Sequence, residues 1–317
     1  MRTFGLYFLT SFIGFVITFA ICSFSNITID EVDVISNSSS RSGSFVETFV
    51  PDNFFQMLSS GNILQLIFVC LLLGYLSFSL SSKNNDTFRN IVSLGQDFCL
   101  KAITLILKVA PCGVFSLVAS TISKLDYDSI PQIAKLCVLL VLSLSIHALI
   151  ILPLLAKIFG KFSGYKFLNK MRQPLILALT TASSNAALPV SLKTLKQEGK
   201  VPDEVADFVL PMGATFNMDG SAMFQTLIYL CVAAAAQINI SGSDYIVLVL
   251  IVVFSSVGVA GIPGGALAVT AYMFNYLGLP EQYLGVVILL DRFFDYPITM
   301  VNVWGDLVVA KIIGTKT

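Results

Sequence analysis

The sequence predicts an all-α protein that crosses a membrane several times, and three observations support this fold class. Of the 317 residues, 56% are hydrophobic and 12% are charged, and that charged share is about half of what a soluble domain carries. Apolar runs long enough to cross a bilayer recur along the chain, with polar loops between them. One late segment, residues 291–306, carries three carboxylates and an arginine although apolar runs flank it on both sides.

The first half of the chain predicts four spans. Residues 4–24 are apolar enough to cross the membrane. The alternative, a cleaved signal peptide, is disfavoured because the run is longer than an h-region and no small-x-small cleavage site follows it. Further spans are predicted at residues 61–82, 91–123 and 132–157, with the charged loop SSKNNDTFRN after the first of them and a break near Pro111 in the second.

Loop charges predict how these spans are oriented. Lysine and arginine collect in cytoplasmic loops, and basic residues cluster at 157–173 and 192–200. The segments 25–57 and 124–131 are acidic and are assigned to the outside. Both termini are therefore expected in the cytoplasm, and the short loops favour a bacterial inner membrane.

Several functional classes lack their signatures in this sequence. The six cysteines are scattered without a C-x-x-C pair, so neither a disulfide framework nor a thiolate metal site is predicted. No Walker motif is present, so the chain is not expected to use ATP on its own. The only histidine, His147, lies in an apolar run and is interpreted as a packed residue rather than a ligand.

Three later apolar segments, 177–192, 210–224 and 252–274, are interrupted by small and polar residues. A glycine or proline break at membrane depth leaves backbone polar groups that must face protein or a water-lined cavity. Paired interrupted segments of this kind indicate the binding site of a secondary transporter.

The segment 291–306 predicts one wall of such a site. On a helix, Asp295, Thr299, Asn302 and Asp306 fall within about 60° of one another. Carboxylates and unwound backbone carbonyls suit a small hard cation such as Na⁺. A helix N-terminus can bind the carboxylate of a substrate, and Asp295 can pair with an ammonium group. An α-amino acid carries both groups and is therefore a compatible substrate. This chemistry alone leaves the ion and the substrate open.

Four motifs together resemble the dicarboxylate/amino acid:cation symporter family, which holds the glutamate transporters and the archaeal aspartate transporter. They are TTASSNAALPV at 180–190, NMDGSAMF at 217–224, VGVAGIPGG at 257–265 and TMVNVWGD at 299–306. The similarity begins at the family's third helix, so the first two helices have no counterpart here. The chain is expected to be either a fragment or a protein with a reduced scaffold.

The resemblance implies a glutamate-transporter-like fold, N-terminally truncated, with two re-entrant helical hairpins and a broken helix 7, in which a transport domain slides as an elevator within a homotrimer. Its expected parts are a transport-domain helix resembling family helix 3 at 1–24, an extracellular loop at 25–57, scaffold-type helices 4 and 5 with transport-domain helix 6 at 58–157, hairpin 1 at 174–204, broken helix 7 at 205–235, hairpin 2 (the gate) at 246–276, and helix 8 at 281–312.

The resemblance also implies three cation sites. The first comprises Asp306 with backbone oxygens of Gly213, Asn217 and Asn302. The second, deeper site comprises Asp219, the Asn217 side chain, Tyr7, Thr10 and Ser11. The third comprises backbone oxygens of Thr215, Ser256, Val257 and Val259, with Met218 nearby. The carboxylate ligands of the sodium-coupled branch are all present, so Na⁺ is the expected co-transported ion and a proton is the alternative.

The substrate positions implied by the resemblance are Ser183, Ser184, Gly261, Gly264, Asp295, Ile298, Thr299 and Asn302. Asp295 matches the holder of the substrate's amino group. Ile298 stands where transporters of acidic amino acids have an arginine for the distal carboxylate, and a buried carboxylate without that partner would be several kcal/mol worse off. A neutral amino acid is therefore expected. Ala182 also departs from the family, since an arginine often found at this hairpin tip is absent.

Three alternatives stay open or are disfavoured on sequence grounds. A carrier of glutamate, aspartate or a C4-dicarboxylate would need another cationic partner, for which Arg292 is the candidate. A non-transporting remnant that still binds its ligand is compatible with the lack of counterparts to the family's first two helices. An intramembrane aspartyl protease would need Tyr-Asp and Gly-x-Gly-Asp motifs, whereas residues 303–306 read Val-Trp-Gly-Asp, so no enzymatic activity is expected.

Overall fold

A computed structural model describes residues 2–25, 50–60, 63–124, 130–238, 242–258, 267–280 and 283–315 of the protein. Within these ranges the regular structure is helical throughout, which confirms the predicted all-α class. Three of the described helical stretches are long and apolar enough to cross a membrane, namely Arg2–Phe24, Ile133–Gly160 and Asp203–Ala235.

The described residues fall into two compact units, Ser39–Asp126 on the one hand and Met1–Ser38 with Tyr127–Thr317 on the other. In the first unit the helices are α2 (Phe54–Ser60), α3 (Ile63–Ser77) and α4 (Ser82–Lys124). In the second unit they are α1 (Arg2–Phe24), α5 (Ile130–Ile146), a π-helical segment (His147–Ile151), α6 (Leu152–Gly160), α7 (Gly164–Lys170), α8 (Arg172–Thr181), α9 (Ser184–Gln197), α10 (Asp203–Phe216), α11 (Asp219–Ala235), α12 (Gly242–Gly258), α13 (Leu267–Leu277) and α14 (Leu284–Gly314).

Helix α4 corrects two expectations from the sequence. Most of the predicted charged loop SSKNNDTFRN is helical, and the predicted break near Pro111 is absent, because α4 runs through both without interruption. At 43 residues the helix is about 65 Å long, roughly twice the apolar thickness of a bilayer. Its polar first turns can therefore project into water. Proline removes one backbone donor, and transmembrane helices tolerate that loss when neighbouring groups satisfy the freed carbonyl.

Two helices, α11 and α14, form the centre of the second unit. Almost every residue of α11 is buried, and so is nearly every residue of α14 from Ile298 to Ala310. The helices α1, α8 and α10 pack against this pair. The polar stripe predicted on 291–306 therefore faces the interior of the unit.

Helix interruptions occur inside two of the predicted segments. In the segment predicted as hairpin 1, α8 ends at a left-handed Ala182 with φ 49°, and Ser183 accepts a hydrogen bond from the Ala186 amide to cap α9. In the segment predicted as helix 7, Asn217 and Met218 leave the helical conformation between α10 and α11. In the segment predicted as hairpin 2, α12 and α13 lie on either side of residues 259–266, which are outside the described part.

Gly164 provides a test of the packing between α6 and α7. A Cβ atom at this position would lie 2.5 Å from Pro153 Cα and 2.7 Å from Pro153 Cβ, and the proline backbone has little room to retreat. We expect Gly164→Ala to cost about 1–3 kcal/mol of stability, as overpacked sites do. Thermal unfolding of the detergent-purified protein would measure the loss.

The matched control is Gly5→Ala in α1, because a Cβ atom there would meet no atom within 4 Å. Its unfolding temperature should equal or slightly exceed that of the wild type, since alanine is favoured over glycine inside a helix. Equal unfolding temperatures for the two variants would contradict the close approach of α6 and α7.

Candidate functional site

The side chain of Asn217 connects two of the predicted cation sites. It is fully buried and lies where α10 gives way to α11. Its amide nitrogen Nδ2 donates to Asp306 Oδ1 at 3.0 Å, and its amide oxygen Oδ1 accepts from Thr10 Oγ1 at 3.1 Å. One amide group thus joins α1, the helix break and α14.

Asp219 begins α11 and is completely buried. Its Oδ1 accepts a hydrogen bond from Ser11 Oγ at 2.7 Å, and its Oδ2 lies 3.2 Å from His147 Nε2. The positive end of the α11 dipole favours a carboxylate in this first turn. Within the described ranges, neither Asp219 nor Asp306 has a lysine or arginine at ion-pair distance.

Tyr7 approaches this centre from α1. Its hydroxyl donates to the Val209 carbonyl at 2.9 Å, so its hydrogen bond goes to α10 rather than to Asp219. A Cβ atom on Gly213 would collide with the Asp306 carboxylate and would lie 2.7 Å from the Tyr7 hydroxyl. The bare glycine backbone is therefore what allows both side chains to lie against α10.

Asn302 secures the start of α11 to α14. Its Oδ1 accepts from the Gly220 amide at 2.7 Å, which satisfies one of the backbone donors that every helix N-terminus leaves unpaired. Its Nδ2 lies 3.3 Å from Met218 Sδ and 3.4 Å from Ser221 Oγ. The predicted ligands Met218 and Asn302 are therefore neighbours.

The predicted substrate positions that the structure describes lie on α14 and at the junction of α8 and α9. Ile298, Thr299 and Asn302 are buried on α14, and Asp295 on the same helix is partly exposed. Ser183 and Ser184 are buried between α8 and α9, and both of these helices contact α14.

Other predicted ligands fall partly or wholly outside the described structure. Ser256 and Val257 belong to the last turn of α12, but their side chains are not among those described. Val259, Gly261 and Gly264 lie outside the described residues. Thr215 is described, and its hydroxyl donates to the Met212 carbonyl of its own helix at 3.0 Å. Its predicted role concerns the backbone oxygen instead and stays a prediction.

Two residues at this centre were not predicted from the sequence. His147 was interpreted as a packed residue; it is packed, with no exposed surface, and it also contacts Asp219. An ionisable residue inside a membrane span is a functional candidate by default. The position of His147 in a predicted span is therefore the sequence feature that indicates a functional role. Gly305 is the second, because a Cβ atom there would lie 2.8 Å from both Asn217 Nδ2 and Asp219 Oδ2.

The arrangement is suited to binding a cation. Two buried carboxylates contact hydroxyl, amide and imidazole groups, and their immediate surroundings offer hydroxyl, amide and main-chain oxygens. The last carbonyls of α10 also point toward the break, and the negative end of a helix dipole favours positive charge. Oxygen ligands of this kind suit Na⁺ in broken-helix transporters.

Gly305→Ala tests whether the close contact at this glycine supports the site. The added methyl group would push apart the Asn217 amide and the Asp219 carboxylate, and losing such supporting contacts typically weakens metal affinity by about 10–100-fold. We expect the Na⁺ concentration that gives half-maximal thermal stabilisation to rise by that factor.

Gly14→Ala is the matched control, since a Cβ atom there would meet the Cγ atom of Met223 at 3.0 Å and that flexible side chain can move aside. An unchanged Na⁺ requirement in Gly305→Ala would show that the contact is not needed.

Comparison of the sequence with known proteins identifies the family of this chain. The model of the sodium:dicarboxylate symporter family matches residues 1–316. The chain is 34% identical over 276 residues to the proton/sodium-glutamate symport protein of Bacillus subtilis (strain 168). The aligned region covers 86% of this chain and 63% of that protein.

Two further relatives carry different substrates in their names. The chain is 34% identical over 252 residues to the neutral amino acid transporter B(0) of Oryctolagus cuniculus, covering 77% of this chain and 46% of the relative. It is 30% identical over 275 residues to the C4-dicarboxylate transport protein of Erwinia tasmaniensis, covering 85% and 64%. The chain thus spans less than two thirds of the length of these relatives. It belongs to the sodium:dicarboxylate symporter family, a family of transporters rather than enzymes.

Proposed function

We propose that the protein is a sodium-coupled secondary transporter that takes up an amino acid with a neutral side chain. The observation that carries the coupling is the pair of buried carboxylates, Asp219 and Asp306, which have no lysine or arginine at ion-pair distance within the described structure. A buried charge without a partner costs several kcal/mol. A bound cation removes that cost, and so its entry stabilises the folded site.

Na⁺ fits the available ligands better than the alternative, a proton. Asp219, Thr10 and Ser11 offer carboxylate and hydroxyl oxygens close to the Asn217 amide, and a dehydrated sodium ion requires several oxygens at once. A proton would need only one carboxylate. Coupling to protons remains the alternative because the Bacillus subtilis relative is named a proton/sodium symport protein.

The third cation site is also part of this proposal. It rests on the resemblance and on the position of Met218, which is buried beside Asn302 at the helix break. Its other proposed ligands are backbone oxygens of Thr215, Ser256, Val257 and Val259.

The substrate is inferred from the polar stripe on α14. We assign Asp295 to the substrate's ammonium, because it is the carboxylate of the stripe that is partly exposed. We assign the amide of Asn302 and the first backbone N–H groups of α9, at Ser184, to the α-carboxylate, since a helix N-terminus binds anions. Ile298 is buried and apolar, which favours a substrate without a distal charge.

The second candidate is a symporter of glutamate, aspartate or a C4-dicarboxylate, coupled to protons or sodium. It is favoured by the names of two relatives, one a glutamate symporter and one a C4-dicarboxylate transporter. Arg292, one residue after the buried Asp291, would then pair with the distal carboxylate. A remnant that binds without transporting is the remote alternative, and uptake into proteoliposomes separates it from a carrier.

The proposal includes elevator-type movement in a homotrimer, with both termini cytoplasmic. The division into units supports the separation of roles, because the predicted scaffold helices before Asp126 group apart from α1, α5 and the helices that carry the site. A scaffold and a transport domain that moves against it must each be held together by contacts within that domain.

The first test is ligand-dependent thermal stabilisation of the purified protein. A ligand that binds the native state raises stability in proportion to the logarithm of its concentration above Kd. We expect the unfolding temperature to rise with Na⁺ and to rise further with one of the neutral amino acids, but not with aspartate or K⁺. Asp295→Asn should keep the Na⁺ response and lose the amino acid response. A rise with aspartate would contradict the proposed substrate class.

Ile298→Arg tests the selectivity assignment directly. An arginine at this position would supply the guanidinium that pairs with a distal carboxylate, so we expect affinity to move from the neutral substrate to aspartate or glutamate. Competition against uptake of the labelled amino acid measures the change. Ile298→Leu is the matched control and should keep the neutral preference. If Ile298→Arg bound the neutral substrate as well as the wild type does, Ile298 would not set selectivity.

A further inference from the structure

The contact between His147 and Asp219 has a structural origin in the helix that carries the histidine. His147 is the first residue of the π-helical segment His147–Ile151, which interrupts the long helix formed by α5 and α6. A π-turn inserts one residue into the α-helical repeat, which rotates the flanking faces by about 100° relative to each other. Such turns are rare and frequently occur at functional sites.

Pro153 lies just after the π-turn and removes one backbone donor from it. In the π-helical pattern the amide of Leu152 donates to the His147 carbonyl. The next donor in that pattern would be residue 153, but proline has no backbone N–H. The carbonyls of Ala148 and Leu149 accept hydrogen bonds from side chains, namely Trp304 Nε1 at 3.0 Å and the Tyr165 hydroxyl at 2.7 Å.

Two consecutive residues of the π-turn contact α11 and α14, the helices that carry the two carboxylates. His147 Nε2 lies 3.2 Å from Asp219 Oδ2, while Ala148 accepts from Trp304, which is two residues before Asp306 on α14. All these groups are buried. Because Asp219 as a carboxylate only accepts hydrogen bonds, Nε2 is the donor. The other ring nitrogen, Nδ1, has no hydrogen-bond partner within the described structure.

We propose that His147 is a positioning residue for the deeper cation site, an inference that rests on the proposed function. By holding Oδ2 of Asp219, it turns Oδ1 toward Ser11 and the region of Thr10 and Asn217, where the ligands converge. The histidine does not touch the ion. It acts on the cation site as the outer hydrogen-bond partners of metal ligands do, and loss of such partners typically costs about 10–100-fold in affinity.

A pair of polar variants separates this role from simple packing. The terminal amide of a glutamine at position 147 reaches about as far as Nε2, whereas that of an asparagine reaches only about as far as Nδ1. His147→Gln should therefore keep the donor to Asp219, and His147→Asn and His147→Leu should lose it. Ser143→Ala is the matched control. Ser143 is also buried and lies one turn earlier on α5, and its hydroxyl donates within its own helix, to the Leu139 carbonyl.

The measurement is the Na⁺ concentration that gives half-maximal thermal stabilisation, with choline as the replacement cation. We expect His147→Asn and His147→Leu to require about 10–100-fold more Na⁺, His147→Gln to stay close to the wild type, and Ser143→Ala to match it. In proteoliposomes at saturating Na⁺, the KM for the amino acid should be unchanged in His147→Gln and His147→Asn, since the histidine does not contact the substrate.

Three outcomes would count against the proposal, and they differ from one another. If His147→Asn needed no more Na⁺ than the wild type, the positioning role would be wrong while the sodium coupling stood. If His147→Gln were as defective as His147→Asn, the donor at Nε2 would not be what matters. A wild-type protein without any Na⁺ response would overturn the sodium coupling itself and the inference with it. The comparison of the two polar variants decides the question even if His147→Leu does not fold.

Discussion

The bridge made by the Asn217 side chain is the interaction on which the candidate site depends. The backbone at this residue ends α10, and its amide contacts Asp306 on α14 and Thr10 on α1. A carboxamide side chain can donate to a carboxylate through its nitrogen and accept from a hydroxyl through its oxygen without adding charge. An apolar residue would leave Asp306 without its donor, and an aspartate would add a third negative charge to a centre that holds two.

Close approach of backbones is what brings so many polar groups into one buried volume. A Cβ atom on Gly220 would lie 2.7 Å from the Ile298 carbonyl, so α11 and α14 meet at contact distance where the site begins. Gly213 and Gly305 play the same part for the two carboxylates. Buried carboxylates need several donors, and these glycines remove the side-chain volume that would keep the donors away.

The parts of the structure that the sequence predicts are those encoded within one element. The polar stripe on 291–306 follows helical periodicity, and its residues Thr299, Asn302 and Asp306 are buried, while the polar run in 210–224 coincides with a helix interruption at Asn217 and Met218. The contact of His147 with Asp219 joins residues 72 positions apart and depends on a π-turn, so no periodicity in either segment reveals it. The continuity of α4 through Pro111 was missed because proline's local cost can be met in a membrane by neighbouring groups.

Ion binding and substrate selectivity depend on the structure in different ways. The proposed cation ligands are tied together by hydrogen bonds from four elements, α1, the π-turn, the break before α11 and α14, so a change in one of them disturbs the others. The proposed selectivity residue, Ile298, contributes an apolar side chain, while the groups assigned to the ammonium and α-carboxylate would serve any amino acid. A family built in this way can change substrate by one substitution without rebuilding its ion sites. Relatives of 30–34% identity that are named for glutamate, neutral amino acids and C4-dicarboxylates fit that expectation.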